Sequence, residues 1–343
     1  MPSAPPLGPA LEQVLRAETT RPAAPEVLAL VAAVRARFGD AVRGVLFYGS
    51  CRRGVGLRDG IVDFWVLVDD RRRCEKPWAA RLGGWLPPNV YYLETDWLET
   101  GGHEAGRHEP DGPAAGGEQT GAGHPPAYAP VRLRAKVALF TLPELERGAT
   151  ALETYVWGRL AQPVSIVFAA TAADERALLG VLARCVGTFL DDALALAPGG
   201  DALAVWREGL GRSYGTELRA EGAGRANDVV GNDAAHYVAL TAAARPEALA
   251  AGADGVLRAL PVPGADAGAL LRRWRRRARA GKVRSLLRLL KGLQTFEGGF
   301  DYIAWKLSRH AGREVVIPER VRRWPLIFLW GLMWKLYREG VFR

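Results

Sequence analysis

Apolar residues in the first third of the chain form one helical segment and three short continuous runs. Residues 25–39, "PEVLALVAAVRARFG", repeat their apolar positions at helical spacing and end at a glycine, which predicts a helix. The runs at 42–49, 61–69 and 89–94 are short and rich in β-branched and aromatic residues. Such runs are typical of buried strands. The first third of the chain is therefore predicted to be α/β.

From about residue 131 onward the pattern becomes mainly helical, and no internal repeat is present. Strands followed by helices indicate an α+β protein in which a strand-containing N-terminal domain precedes a mainly helical region. The segments with helical spacing are 142–160, 172–193, 200–210, 270–292, 297–311 and the amphipathic C-terminal segment 324–343.

Composition changes along the chain predict its division into domains. The proline-rich segment 1–24 is expected to be flexible, and residues 25–170 are expected to form the first domain. Inside that domain, residues 101–130 are rich in glycine and proline without any period, which predicts a disordered surface insertion. Residues 171–311 are expected to form a helical domain that completes the active site, and 312–343 a basic amphipathic segment.

Overall composition points to an anionic partner. The chain has 343 residues, a formal net charge of +9 and an isoelectric point near 9.7. Such a balance suits a nucleotide, a nucleic acid or an acidic membrane surface. The three cysteines have neither metal-site nor disulfide spacing, which suits a reducing compartment. No run of eighteen apolar residues and no signal-peptide core is present, so we expect no membrane-spanning helix.

The stretch "YGSCRRGVGLRDGIVDFWVLVDD", residues 48–70, carries the candidate chemistry. Gly49 lets the backbone approach a triphosphate closely, and Ser50 can donate to phosphate oxygens. Asp63 lies in a very apolar strand, where a carboxylate can point rigidly at Mg²⁺. This arrangement is the plan of the nucleotidyltransferase fold, although Trp65 occupies the place of that fold's usual second aspartate. The alternative is an acid at a strand end with a solvated face.

Six short motifs follow one another along about residues 40–310. They are Tyr48-Gly49-Ser50, Val62-Asp63-Phe64, Val90-Tyr91-Tyr92, the segment that begins at Lys136, Gly158-Arg159-Leu160-Ala161-Gln162-Pro163-Val164, and Ser213-Tyr214-Gly215-Thr216-Glu217-Leu218-Arg219. Together they resemble the mitochondrial-type CDP-diacylglycerol synthases, the phosphatidate cytidylyltransferases of the translocator assembly and maintenance family, in a bacterial branch. This chain departs from the family pattern at Cys51, where glycine is common, at Gln162, where lysine is usual, and at Glu217, where aspartate is usual.

The resemblance implies a Mg²⁺-dependent reaction of CTP with phosphatidic acid that gives CDP-diacylglycerol and pyrophosphate. It implies that Asp63 and Glu217 are catalytic residues that hold the metal, and that Gly49 and Ser50 cradle phosphates. The implied anion-binding residues are Lys136, Arg159 and Arg219. For each of these cations the alternative is a surface salt bridge, and Tyr214 either stacks on cytosine or packs in the core.

Contact with an anionic membrane is expected at the C-terminus. Trp330 and Trp334 recur at helical spacing, with Lys335 and Arg338 among them, as in helices that lie in the headgroup layer. The expected location is peripheral, at the cytoplasmic face of a bacterial inner membrane. The alternative is a core helix that closes the domain. The basic helix around 270–291 faces either headgroups or water.

Two other functions stay open. One is a nucleotidyltransferase that acts on RNA or on a small hydroxylated acceptor, and the other is a non-catalytic peripheral membrane protein of the same fold. No RNA-binding signature is present, so no nucleic-acid partner is expected. A hydroxyl nucleophile would favour a second strand acid as base, where this chain has Trp65.

Overall fold

The computed structural model of the chain describes residues 8–54, 56–98, 130–217, 224–261, 266–295, 299–301, 303–304, 308, 314–324, 327–328, 331, 334 and 338. The segment predicted to be a disordered insertion, 101–130, lies outside these residues except for Pro130. The predicted helices at 297–311 and 324–343 fall largely outside them as well.

Helices account for most of the regular structure. The first six helices along the chain are α1 (Pro9–Thr19), α2 (Pro25–Phe38), α3 (Pro77–Trp85), α4 (Leu142–Ala149), α5 (Trp157–Leu160) and α6 (Ala172–Leu196). The later ones are α7 (Ala202–Tyr214), α8 (Arg225–Gly231), α9 (Ala234–Ala244), α10 (Ala267–Thr295) and α11 (Glu319–Arg323). The helices predicted at 25–39, 172–193, 200–210 and 270–292 are confirmed as α2, α6, α7 and α10.

A five-stranded mixed sheet lies at the centre of the fold, in the order β3-β4-β2-β1-β5. Its strands β2 and β4 are parallel, and the other neighbouring pairs are antiparallel. The strands are β1 (Val42–Tyr48), β2 (Val62–Val68), β3 (Asn89–Trp97), β4 (Val131–Thr141) and β5 (Ser165–Ala169). A separate two-stranded sheet pairs β6 (Leu249–Ala251) with β7 (Leu257–Ala259). The fold is therefore α+β, and the strands predicted at 42–49, 61–69 and 89–94 are confirmed.

The region from residue 131 is mainly helical, as predicted, but it also contains β4 and β5, which the sequence pattern did not indicate. Leu133, Ala135 and Val137 of β4 are fully buried at alternate positions, which is the two-residue period of a strand. The single helix predicted at 142–160 is wrong, because α4 ends at Ala149. The chain then turns tightly enough that a Cβ on Gly148 would lie 2.4 Å from a methyl group of Val156.

The sheet separates two apolar cores. One face packs against α2 through residues such as Phe64 and Val66, and the other, which carries Trp65, packs against α6, with α7 packed in turn against α6 in the same apolar core. No helix among the described residues is long and apolar enough to cross a membrane.

Helix α1 lies inside the segment for which the sequence predicted flexibility, and it differs from that expectation. Pro9 begins the helix, and Leu11 and Leu15 share one face, where both are buried in the core that contains Trp65. In the sequence this apolar stripe consists of two residues only, and polar and proline residues surround it, so the pattern does not indicate a buried helix.

Candidate functional site

Asp63 belongs to a row of side chains that crosses the sheet. In the strand register, Asp63 of β2 lies opposite Tyr48 of β1 on one side and opposite Lys136 of β4 on the other. Residues paired in this way project from the same face of the sheet. Trp65, the next residue of β2 on that face, is 1% exposed, whereas Asp63 is half-buried. Asp63 thus stands at the point where this face of the sheet leaves the core.

A pocket of about 270 Å³ opens over this row. It lies between the end of β1, the start of β2, and the segments around α5 and α7. Six of the residues predicted for the site line it: Gly49, Ser50, Asp63, Lys136, Arg159 and Tyr214. The structure therefore brings together residues that lie up to 165 positions apart in the sequence, from Gly49 to Tyr214.

The structure gives two reasons why glycine is required at position 49. Its φ is +90°, a backbone conformation that L-residues rarely adopt. A Cβ at this position would also lie 3.0 Å from Oδ2 of Asp63. The loop after β1 consequently passes directly beside the Asp63 carboxylate.

The loop is held by Arg52, which follows Ser50 by two residues. The Nε of Arg52 donates to Oγ of Ser165 at 2.9 Å, and its Nη2 donates to the backbone oxygen of Glu18 at 3.3 Å and to the Glu18 carboxylate. Both side chains of this ion pair are buried. Glu18 and Arg52 were not singled out from the sequence, because nothing in either local pattern shows that α1 packs against this loop.

Arg159 and Glu217 form a two-pronged ion pair. Nη1 and Nη2 of Arg159 donate to Oε1 and Oε2 of Glu217 at 2.8 and 2.5 Å. Burial alone would lower the pKa of Arg159, but the Glu217 carboxylate and the hydroxyls of Tyr155 and Tyr48 raise it above its ordinary value. The guanidinium therefore stays charged inside the protein. Glu217, predicted to hold metal beside Asp63, instead contacts Arg159 and is not among the pocket-lining residues.

Close packing of α5 against the end of α7 brings this pair together. A Cβ on Gly158 would lie 2.2 Å from Oγ of Ser213, so a side chain there would force the Ser213 hydroxyl out of its position. The hydroxyls of Thr154 and Thr216 are 2.6 Å apart across the same junction. Gly158 and Ser213 thus contribute to the site through the packing of α5 against α7.

Tyr214 is anchored by a hydrogen bond within the pocket wall. Its hydroxyl donates to Oε1 of Gln162 at 3.1 Å, and Nε2 of Gln162 donates to the backbone oxygen of Gly158 at 2.8 Å. Gln162, noted in the sequence only as a departure, is therefore a structural part of the site.

Tyr48 is held in its neutral form. Burial, and next the nearby Asp63 carboxylate, raise the pKa of the Tyr48 phenol well above its ordinary value of 10.0. The hydroxyl is consequently a hydrogen-bond donor at physiological pH and cannot serve there as a base.

The pocket has an excess of positive charge. Lys136, Arg159 and Arg225 line it, and Asp63 is the one carboxylate residue that does so among the described residues. Lys136 makes no ion pair with any residue in the described part of the chain. Arg225, at the start of α8, was not predicted, since one more arginine in so basic a chain carries no signal. Arg219, predicted to bind anions, lies outside the described residues.

Asp63 is the described pocket residue whose side chain could hold Mg²⁺. In nucleotide sites the ion takes one or two carboxylates and completes its coordination with water and substrate phosphates. Across the described residues, no group of three or more His, Cys, Asp or Glu side chains is placed to hold a metal by itself. The described carboxylate that would contribute to such a site is that of Asp63.

The residues predicted for membrane contact are described only in part. Trp334 is 63% exposed and Arg338 is exposed, as are Trp324 and Ile327 earlier in the segment. Trp330 and Lys335 lie outside the described residues.

Comparison with known protein families and with curated proteins found no match for this chain.

Proposed function

We propose that the protein is a phosphatidate cytidylyltransferase with a nucleotidyltransferase fold in its N-terminal half. The observation that carries this proposal is the row Tyr48–Asp63–Lys136 beneath a glycine loop, in a pocket with more cations than acids. A backbone loop and fixed cations suit a triphosphate, and a strand carboxylate suits the divalent ion that accompanies it.

The proposed reaction needs no dedicated base. An oxygen of the phosphate of phosphatidic acid attacks the α-phosphorus of CTP, and a new P–O–P linkage forms. The bond from the α-phosphorus to the oxygen that bridges to the β-phosphorus breaks, and pyrophosphate leaves with that electron pair. Phosphate monoesters are largely ionised at neutral pH. The neutral Tyr48 hydroxyl beside Asp63 is consistent with a site that supplies alignment and charge rather than proton abstraction.

Each pocket residue then has a role that follows from its position. The Gly49 and Ser50 amides and the Ser50 hydroxyl donate to the β- and γ-phosphates, and Lys136 and Arg225 neutralise charge on the triphosphate or on the lipid phosphate. Mg²⁺ held by Asp63 would stabilise the negative charge that develops on the phosphates.

We propose a changed role for Glu217. To hold metal, its carboxylate would have to leave a bidentate pair with Arg159 in a half-buried setting. Such pairs are strong and geometrically specific. Glu217 is better suited to position Arg159, whose guanidinium lines the pocket and is able to contact a phosphate there.

We also propose that the C-terminal segment brings the pocket to its lipid substrate. Exposed Trp334 and Arg338, with Trp330 and Lys335 of the same segment, suit peripheral binding to an anionic membrane at the cytoplasmic face of a bacterial inner membrane.

The proposal is tested by pyrophosphate release from the purified full chain with Mg²⁺ and CTP, with and without phosphatidic acid in mixed micelles. Release that requires both CTP and the lipid, and that ATP, GTP or UTP do not support, is the expected result. Pyrophosphate release with CTP that does not depend on phosphatidic acid would overturn phosphatidic acid as the acceptor and favour a hydroxylated acceptor. No release under any condition would overturn the enzymatic proposal in favour of a non-catalytic membrane protein.

A further inference from the structure

Helix α10 buries Trp274 in the core near its start, but further along it faces the protein mainly with polar side chains. The buried Arg277, 1% exposed, donates to the Asp192 carboxylate at 2.6 Å and to the backbone oxygen of Leu152 at 2.9 Å. Arg288 donates to Oε1 of Glu153 at 3.0 Å. A typical surface helix buries an apolar stripe and exposes its charges. Much of the inner face of α10 has the opposite character.

These contacts fix the rotation of α10 about its axis. Lys291, one turn beyond Arg288, donates to the backbone oxygens of Leu86 and Pro88 at 2.6 Å each and to Oδ1 of Asn89 at 2.9 Å. In the middle of the helix, a Cβ on Gly281 would lie 2.4 Å from the backbone oxygen of Thr216. Rolling the helix to bury its outer face would leave the buried guanidinium of Arg277 and the buried amine of Lys291 without partners, which is strongly destabilising.

The outer face of α10 consequently carries aliphatic side chains into solvent. Val283, Leu286, Leu289 and Leu290 are 58%, 51%, 62% and 48% exposed. Contiguous exposed apolar residues on a protein surface mark an interaction site more often than isolated ones do.

Helix α10 also carries many basic residues and no acidic residue. Residues 267–295 contain ten Lys and Arg and no Asp or Glu. The exposed Arg275, Arg279 and Lys282 lie on the same outer face and form no ion pair with a described residue. Trp85 of α3, 70% exposed, borders a groove of about 470 Å³ with Arg279 and Val283. An exposed tryptophan beside aliphatic and basic residues is the composition of membrane-interface surfaces.

We propose that the outer face of α10, together with Trp85, is a second membrane-binding surface that lies on an anionic bilayer. In this arrangement Val283, Leu286, Leu289 and Leu290 enter the boundary between headgroups and acyl chains, and Arg275, Arg279 and Lys282 contact lipid phosphates. The surface lies outside the C-terminal segment in the sequence, and its assignment does not depend on the cytidylyltransferase reaction.

An anionic bilayer suits both the aliphatic and the basic residues of this surface, whereas each of the other candidate partners suits only one of the two groups. RNA would use the cations but gives no reason for four exposed aliphatic side chains. A second copy of the chain would cover the aliphatic residues, but it would place two such cationic faces against each other, with no acid on α10 to pair them.

The test is flotation of the full-length protein with vesicles, without nucleotide or Mg²⁺. One set of vesicles is pure phosphatidylcholine, and the other contains in addition 30% phosphatidylglycerol. The variants are the apolar triple Val283→Ser/Leu286→Ser/Leu289→Ser and the basic triple Arg275→Gln/Arg279→Gln/Lys282→Gln. A matched control replaces exposed apolar residues of α2 and α9, as Leu28→Ser/Val238→Ser. Because the replaced side chains are exposed, all three proteins are expected to keep the circular dichroism spectrum and unfolding midpoint of the wild type.

The expected result is wild-type flotation with the anionic vesicles, at least a fivefold loss of the bound fraction in both triple variants, and no loss in the control. Flotation of the apolar triple equal to that of the wild type would overturn the proposal. A loss of dimer in the apolar triple by light scattering, with unchanged flotation, would assign the face to a second copy. Binding of a single-stranded RNA that competes with the vesicles, and that the basic triple alone abolishes, would assign it to RNA. Because no nucleotide is present, failure here is distinguishable from failure of the pyrophosphate assay.

Discussion

The carboxylate of Glu18 and the guanidinium of Arg52 form a buried ion pair that joins α1 to the loop containing Gly49 and Ser50. The same guanidinium donates to Ser165 at the start of β5. The loop beneath the proposed triphosphate is therefore positioned from two sides, by a helix that precedes it and by a strand that follows it.

Replacement of this carboxylate by its amide, Glu18→Gln, is expected to weaken CTP binding and lower stability. Removing one charge from a buried pair leaves Arg52 incompletely compensated, and we expect a loss of about 3–5 kcal/mol of unfolding free energy. As a positioning residue, Glu18 should affect KM for CTP by several-fold and kcat less. Urea unfolding and steady-state kinetics measure both effects.

The control for this prediction is Glu12→Gln on the same helix. Glu12 pairs with Arg16 at 2.9 Å on the surface, where such pairs contribute at most about 1 kcal/mol. Equal effects of the two substitutions would show that Glu18 has no special part in holding the loop.

Adding one methyl group at Gly49 is expected to lower activity strongly. In Gly49→Ala the new Cβ would press on Oδ2 of Asp63, 3.0 Å away, from a backbone at φ +90°. The loop must shift away from the carboxylate, and we predict a fall in kcat/KM of about 100-fold or more, in line with the sensitivity of aligned sites to small displacements.

The matched control is Gly180→Ala in α6. A Cβ there meets nothing within 4 Å, and alanine favours the helix over glycine by about 1 kcal/mol. This variant should keep full activity and unfold at a slightly higher temperature. Full activity of Gly49→Ala would contradict the assigned closeness of loop and carboxylate.

A double-mutant cycle tests whether Glu217 acts through Arg159. If Glu217 positions Arg159, then Arg159→Lys, Glu217→Gln and the double variant should each lower kcat/KM by about the same factor, on the order of 10- to 100-fold. Residues that act as a unit give such non-additive effects. If Glu217 instead holds metal, Glu217→Gln should raise the Mg²⁺ concentration needed for half-maximal activity while Arg159→Lys does not.

The buried Lys291 predicts a pH dependence of stability. Burial, with Arg71 and Arg288 nearby, lowers its pKa from the ordinary 10.5 to about 7. Between these values the unfolded chain binds a proton that the folded chain does not, so the unfolding free energy contributed by this group rises with pH, by up to about 1.4 kcal/mol per pH unit.

Urea unfolding of the wild type and of Lys291→Met at pH 7.5 and pH 9 measures this contribution. The methionine variant loses the hydrogen bonds to Leu86, Pro88 and Asn89 at both pH values, so only the difference between the two slopes is informative. We expect the wild type to gain more stability than the variant as the pH rises. Parallel slopes would mean that Lys291 keeps its proton throughout.

The strands with continuous apolar runs could be predicted from the sequence because their signal is local. β1, β2 and β3 are of this kind, and so are the longer helices. β4 was not recognised, because its alternating first half is short and is followed by a run that suits a helix equally well. The closeness of Asp63 and Lys136 requires the parallel pairing of β2 with β4, which no local pattern contains.

The residues of the candidate site likewise divide into those with a local sequence signal and those without one. Gly49, Ser50, Asp63 and Lys136 could be found because their residue types are unusual for their local setting or belong to recognisable motifs. The partner of Arg159 could not be found, since Glu217 is 58 positions away and its role depends on the packing of Gly158 against Ser213. Arg225 and Glu18 carry no local signal, because arginine and glutamate are common on helical surfaces.

The central claim, that Asp63 serves a cytidylyl transfer to lipid, is tested most directly by following radiolabelled CTP into the chloroform-soluble product. The wild type, Asp63→Asn and the exposed sheet variant Asp96→Asn are compared with phosphatidic acid and Mg²⁺. We predict labelled CDP-diacylglycerol from the wild type and from Asp96→Asn, and at least a 1000-fold lower rate from Asp63→Asn at an unchanged unfolding midpoint. Lipid labelling by Asp63→Asn at the wild-type rate, or no lipid labelling by the wild type, would contradict the account.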